Sequence, residues 1–169
     1  DSKLAKYINS PETEFYKKGN MIFNLDKAKD LRSKTNYVLI VEGYMDVIGL
    51  FQHGIKNAVA SSGTAFTQEQ LRKILSYTNT IYIVFDGDEA GYKASWRAVE
   101  NAVPLLREDT RLSFILLEPN EDPDSYVNKN GKVNFIDFTK KSKLSIHQFI
   151  FSHYKKQTKN NHSSLAIFE

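Results

Sequence analysis

The sequence predicts an α/β fold: a parallel sheet of about four strands, flanked by helices, with a C-terminal helical extension. Three observations predict it. Four short apolar runs, rich in β-branched and aromatic residues, punctuate the middle of the chain. Helical patterns fall between them. Acidic residues gather immediately after these runs. Alternating strand and helix signals imply right-handed crossovers, with helices on both faces of a parallel sheet.

The runs occupy residues 37–41, 58–60, 81–85 and 112–117. Three are nearly continuous, as expected of strands buried on both faces. Residues 45–53 carry Val47, Ile48, Leu50 and Phe51 as one apolar helix face, and Gly54 can cap it. Thr67-Gln68-Glu69-Gln70 has capping-box spacing, with Leu71, Ile74 and Leu75 following at helical offsets. Residues 89–106 repeat the pattern through Ala94, Ala98, Ala102 and Leu105, and Pro104 disturbs the last turn. The lead-in, residues 1–36, differs in texture: Ser10-Pro11-Glu12, a Lys17-Lys18-Gly19 turn and an amphipathic stretch near 26–33. From Ser142 the chain reads as helix through Leu144, Ile146, Phe149, Ile150 and Tyr154. The expected division is a lead-in (1–36), a core (37–127) and the start of a helical part (128–169).

The 169 residues suit one domain, or one domain with a helical extension. That is enough chain to bury a core without staples. No apolar run approaches ~18 residues, so no membrane-spanning helix is expected. The chain starts without Met and has no basic-then-apolar leader, so no signal peptide is expected. Its start and end read as those of a piece of a larger protein. The absence of Cys excludes disulfides, thiolate zinc sites, Fe–S clusters and cysteine nucleophiles from this chain.

The net charge of +3 conceals two opposed regions. Windows 42–46, 86–89 and 118–124 together hold nine of the twenty acids. Residues 129–159 hold eight lysines and one acid, Asp137. Like charges cluster only where solvent, a cation or a partner compensates. Taken alone, the lysine run reads as a solvated helix face; a polyanion is its functional reading.

Glu42 follows the first strand, Asp86 and Asp88 the third, and 118–124 the fourth. In an open parallel sheet, ligands bind outside the carboxyl ends of the strands. Gly87 permits the bend that lets Asp86 and Asp88 converge, and Asp122-Pro123-Asp124 repeats the spacing. A lone Asp-x-Asp after a strand is commonly a turn or a helix cap. Two such pairs plus a glutamate on one edge favour a divalent cation, because adjacent carboxylates otherwise resist joint ionisation. Oxygen-only donors favour Mg²⁺ or Mn²⁺ over zinc, and such clusters serve phosphate chemistry. The loop Ser61-Ser62-Gly63-Thr64 could offer N–H and hydroxyl groups to phosphate, or be a plain βα turn.

Val41-Glu-Gly-Tyr-Met-Asp-Val47, then Val84-Phe-Asp-Gly-Asp-Glu-Ala-Gly91, then Glu121-Asp-Pro-Asp124 closely resemble the Toprim domain of bacterial DnaG-type DNA primases. Lys6-Tyr-Ile-Asn-Ser-Pro-Glu-Thr13 resembles the segment just ahead of it in that family. The likeness runs from about Lys6 to Phe135 and shows no departure in the core motifs. It implies a Toprim-type fold and template-directed joining of ribonucleotides into primers. Glu42 resembles the family's acid/base or positioning glutamate. Asp86, Asp88 and Asp122 resemble its metal ligands, and Asp46 and Asp124 its supporting acids. Lys6 and Lys18 stand where the family has basic residues near nucleotide and template; Ser62 and Gly63 are the loop's candidates for phosphate. The implied cofactor is Mg²⁺ or Mn²⁺. The implied partners are single-stranded DNA template, ribonucleoside triphosphates and RNA primer, in the cytoplasm at the bacterial replication fork. Zinc and the replicative helicase are expected to involve regions outside this chain, so the piece alone is expected to prime poorly.

Three rivals stand beside this reading: a Toprim topoisomerase or nuclease, a small-molecule phosphotransferase with Asp86 as nucleophile, and a non-catalytic metal-stabilised module. Trp96 and the four histidines read as packing or surface residues, and base stacking by Tyr92 or Tyr44 has no support in spacing.

Overall fold

The structure, a computed structural model, describes residues 11, 13–14, 17–31, 35–61 and 66–160, with side chains as far as residue 155. In chain order it contains β1 (Ile22–Phe23), α1 (Leu25–Asp30), β2 (Val38–Val41), α2 (Tyr44–Gln52), β3 (Ala58–Ser61) and α3 (Gln68–Leu75). These are followed by β4 (Thr80–Phe85), α4 (Glu89–Ala102), β5 (Arg111–Leu116), α5 (Pro123–Ser142), β6 (Leu144–Ser145) and α6 (Ile146–Asn160). The four expected strands are present and parallel, in the order β3-β2-β4-β5.

The sheet is wider than expected. β1 adds antiparallel to β3 and β6 antiparallel to β5, giving six strands. Each edge strand has two residues, too few to display an alternating pattern, and each exists only because a neighbour offers backbone partners. Both faces of the sheet are covered, which is why its strands are continuously apolar. One core holds Ile40, Val59, Ile83 and Phe114 under α1, α3, α4 and α6. The other holds Leu39, Val41, Val84 and Ile115 under α2 and α5.

The expected apolar face of α2 divides. Val47 and Leu50 are buried, whereas Ile48 and Phe51 are each 37% exposed. At about 100° per residue, 48 and 51 rotate away from the sheet when 47 and 50 face it. The capping box of α3 forms: Thr67 Oγ1 accepts from the Gln70 N–H at 3.2 Å, and Gln70 Oε1 accepts from the Thr67 N–H at 2.9 Å. Gln70 is fully buried, and its amide also donates to the carbonyls of Lys18 and Met21. Thr67 Oγ1 donates to the carbonyl of Gly19, so the lead-in is tied to the first turn of α3.

Helix α4 ends at Ala102, and Pro104 sits in a 3₁₀ turn, Val103–Leu105. The helical part expected from residue 128 begins earlier, with α5 at Pro123. Asp122 is its N-cap, Pro123 its first residue, and Gly131, at φ 76°, interrupts it. Asp followed by Pro is a helix-start signal. Helix α6 docks through Phe149, fully buried and stacked on Phe114 at 4.4 Å between ring centroids. Among the described residues, no helix is long and apolar enough to cross a membrane.

Candidate metal centre

Strand β2 delivers Glu42 to the carboxyl edge, and the following Gly43 opens α2. Asp46, in the first turn of α2, is buried and accepts from the Gly43 N–H at 3.0 Å. Strand β4 delivers Asp86. Asp88 then caps α4, accepting from the Gly91 N–H at 2.7 Å. Asp122 caps α5, accepting from the Ser125 N–H at 2.6 Å. The cap reading of each Asp-x-Asp pair is therefore realised, by Asp88 in the first and Asp122 in the second. A capping carboxylate uses one oxygen and has a second for another partner.

Glycines make this convergence sterically feasible. A Cβ on Gly87 would collide with the carbonyl of Glu118, where the β4 and β5 loops touch. The Gly87 N–H donates to the carbonyl of Glu121 at 3.1 Å, holding the two acid-bearing loops together. A Cβ on Gly49 would collide with the Asp124 carboxylate. Asp124 thus lies against α2, where it also accepts from Asn128 at 2.8 Å.

The electrostatics centre on Asp86. Burial raises its pKa to about 7, and the charges of Asp46, Glu42, Asp122 and Asp88 push in the same direction. Its Oδ1 is buried without a hydrogen-bond partner. Burial also raises Asp46, to about 6, against the opposing Gly43 N–H and with added repulsion from Asp122. Glu42 is exposed at its surface, yet enough protein surrounds its carboxyl to raise it, with the charge of Asp88 second. The mutual effects of Glu42, Asp46, Asp86, Asp88 and Asp122 show that the fold brings them together.

Among the described residues, no three acids or histidines stand close enough together to hold a metal ion as the side chains are placed. The donor set nonetheless fits a hard divalent cation: carboxylate oxygens only, an unpaired buried oxygen on Asp86, and only negative charges among those acting on it. Glu42, Asp86, Asp88 and Asp122 are the residues that could hold it. Lys18 lies in a short turn, and its carbonyl accepts from the Gln70 amide in the first turn of α3. Lys6, Ser62 and Gly63 lie outside the described residues, as does most of the lead-in motif.

Sequence spacing missed two features. Gly49 permits the close approach of α2 to Asp124, and a glycine inside an otherwise apolar helix was the available signal. His153 bonds Tyr92, Oη to Nδ1, at 2.8 Å, across 61 residues, for which no local signal exists.

The fold and site define a class: an α/β domain whose parallel sheet carries clustered carboxylates along its carboxyl edge. The sequence pattern of the Toprim-like family matches residues 39–127, a little over half of the chain, and the chain belongs to that family. It is 44% identical over 147 residues to the DNA primase of Pasteurella multocida, covering 87% of this chain and 25% of that protein. The Escherichia coli primase catalytic core superposes with a TM-score of 0.85 at 38% identity, covering 93% of this chain and 50% of that one. A DnaG primase catalytic domain bound to single-stranded DNA superposes with a TM-score of 0.84, at 38% identity and the same coverage. The chain spans about a quarter of the length of the curated relatives it matches, and about half of the solved cores.

Proposed function

We propose that this chain is the Toprim part of a DNA primase, a nucleotidyltransferase making short RNA primers on single-stranded DNA at the bacterial replication fork. The supporting observation is that Glu42, Asp86, Asp88 and Asp122 all lie within residues 39–127, in a fold shared with primase catalytic cores. In the proposed reaction a 3′-hydroxyl oxygen bonds to an α-phosphorus, the bond to the leaving pyrophosphate breaks, and the hydroxyl proton departs to a base. Glu42 is the candidate base, since its raised pKa makes it a better proton acceptor. Asp86, Asp88 and Asp122 would hold Mg²⁺ or Mn²⁺, with Asp46 and Asp124 supporting them. A bound divalent cation would neutralise phosphate charge and lower the pKa of the attacking hydroxyl. Lys6, Lys18, Ser62 and Gly63 are proposed to contact nucleotide or template, and the helicase to contact regions outside this chain.

The test is ribonucleotide incorporation on single-stranded DNA by the longer protein that carries this chain. Labelled RNA should appear, and Asp86→Asn should abolish it. Nicked DNA without RNA would favour a topoisomerase or nuclease. A trapped phospho-aspartate would favour the phosphotransferase. Full priming by the Asp86→Asn variant would leave a non-catalytic module. The chain alone should prime poorly, because the family's template-binding surface is expected mostly outside it.

A further inference from the structure

The lysine run that starts at residue 129 divides once it is folded. Lys129 bonds the Glu121 carboxylate at 3.1 Å, and Lys132 donates to the Gly54 carbonyl at 2.9 Å. Lys140, Lys141 and Lys143, at the far end of α5, are exposed. Among the described residues, none of these three forms an ion pair. Asp137, the run's single acid, lies one helical turn earlier and pairs with none of them. Lys143 is held in place: its Nζ donates to the Tyr82 hydroxyl at 3.2 Å and lies 5.0 Å from the centre of that ring. Tyr82 in turn stacks on Tyr37, with ring centroids 4.7 Å apart. Both tyrosines are half-buried against the core under α2 and α5. Three cations are thus gathered beside a pair of stacked rings. Tyr82 stands four residues before Asp86, ~13 Å along the strand, so this patch is separate from the acidic edge.

We propose that Lys140, Lys141 and Lys143 form a docking surface for the phosphate backbone of single-stranded DNA, remote from the metal centre. The inference rests on the nucleic-acid part of the reading above and adds a contact that the acids do not make. Lys140 and Lys141 sit in the last turn of α5, where cations also suit the negative end of the helix. That favours their placement without supplying a counter-ion. Lysine ammonium groups meet phosphate oxygens as point charges, whereas planar pairing with carboxylates favours Arg. Residues 129–159 contain no Arg. A phosphate backbone is therefore a better match than an acidic protein segment. Tyr82 already restrains Lys143, so less rotamer freedom is lost when a phosphate binds. Backbone contacts of this kind position a strand without reading its bases. The reacting end of a primer is confined to the acidic edge, whereas a template strand extends past it. A cationic patch away from that edge therefore suits the template.

The test is the anisotropy of fluorescently labelled oligo-dT titrated with the chain, in chelator, over a series of salt concentrations. Chelator takes the metal centre out of the measurement, so a failure of the nucleotidyl-transfer reading, seen as absent RNA synthesis, leaves this result standing. The triple variant Lys140→Gln, Lys141→Gln and Lys143→Gln should bind at least about tenfold more weakly at low salt. Its log–log salt slope should shrink by about 2, since each phosphate neutralised on a single strand contributes about 0.7. Arg at the same three positions should restore binding. Lys27→Gln, Lys29→Gln and Lys93→Gln together remove the same charge from other exposed positions and should retain most of the affinity. Thermal unfolding verifies that each variant folds. An unchanged slope in the first triple variant overturns the proposal, as does an equal loss in the second. Tighter binding of oligo-rU or of polyglutamate than of oligo-dT also overturns it, in favour of an RNA strand or an acidic protein segment.

Discussion

Gly91 packs directly on the backbone of Asp86: a Cβ on residue 91 would overlap the Asp86 carbonyl oxygen. The first turn of α4 is thereby pressed against the end of β4. The five-residue interval between Asp86 and Gly91 thus has a steric cause. Gly91→Ala should destabilise the chain by ~1–3 kcal/mol through overpacking. Urea unfolding measures this, and an unchanged midpoint would contradict the contact.

Asp86 and Asp46 produce a pH dependence of defined sign. Their folded pKa values, about 7 and about 6, exceed the ordinary 3.8, so the folded chain binds more protons than the unfolded one. Their contribution to stability is complete below about pH 4 and is lost as pH rises towards 7. In chelator, unfolding free energy should fall across that window. Asp86→Asn should flatten the fall and stabilise the chain near pH 7 by ~1–2 kcal/mol, allowing for solvent screening of a half-buried group. An equally steep fall in the variant would separate Asp86 from the effect.

Asp88→Asn distinguishes capping from metal binding. Asn caps helices about as well as Asp, so stability without metal should change by less than ~0.5 kcal/mol. Mn²⁺ affinity, followed by EPR, should fall at least about tenfold. If affinity holds, Asp88 is a cap alone.

Phe149→Ala tests whether α6 belongs to the same core as the sheet. Phe149 is fully buried against Phe114, so truncation should cost ~3–5 kcal/mol. Hydrogen exchange should show protection lost in β5 as well as α6. A loss confined to α6 would mark that helix as an appendage.

Thr67→Ala removes both the cap of α3 and the bond to Gly19. A cost of ~1 kcal/mol is expected for the cap. Thermal unfolding should show the loss.

The four parallel strands, the box at Thr67 and the edge location of the acids were legible because each is a local signal. Periodicity, caps and strand ends extend over a few residues. The two-residue strands β1 and β6 were not legible, since pairing with β3 and β5 defines them. Helix α5 was under-read: Asp122-Pro123 marks its start, but Gly131 breaks its periodicity. On α2, Ile48 and Phe51 count as apolar in any pattern, and only packing reveals that they face outward.

The sequence by itself determined where the four parallel strands lie, which residues carry acid and which motifs signal the Toprim-like family. Tertiary structure decided what those acids do to one another. Asp46 and Asp122 are 76 residues apart, yet both act on Asp86, because adjacent parallel strands and helix starts share one edge. It also decided that Tyr92 meets His153 beside that edge. The physical reason is one of range: backbone preference and capping act over a few residues, whereas charge repulsion, burial and cavity shape depend on neighbours that only the completed sheet brings within reach.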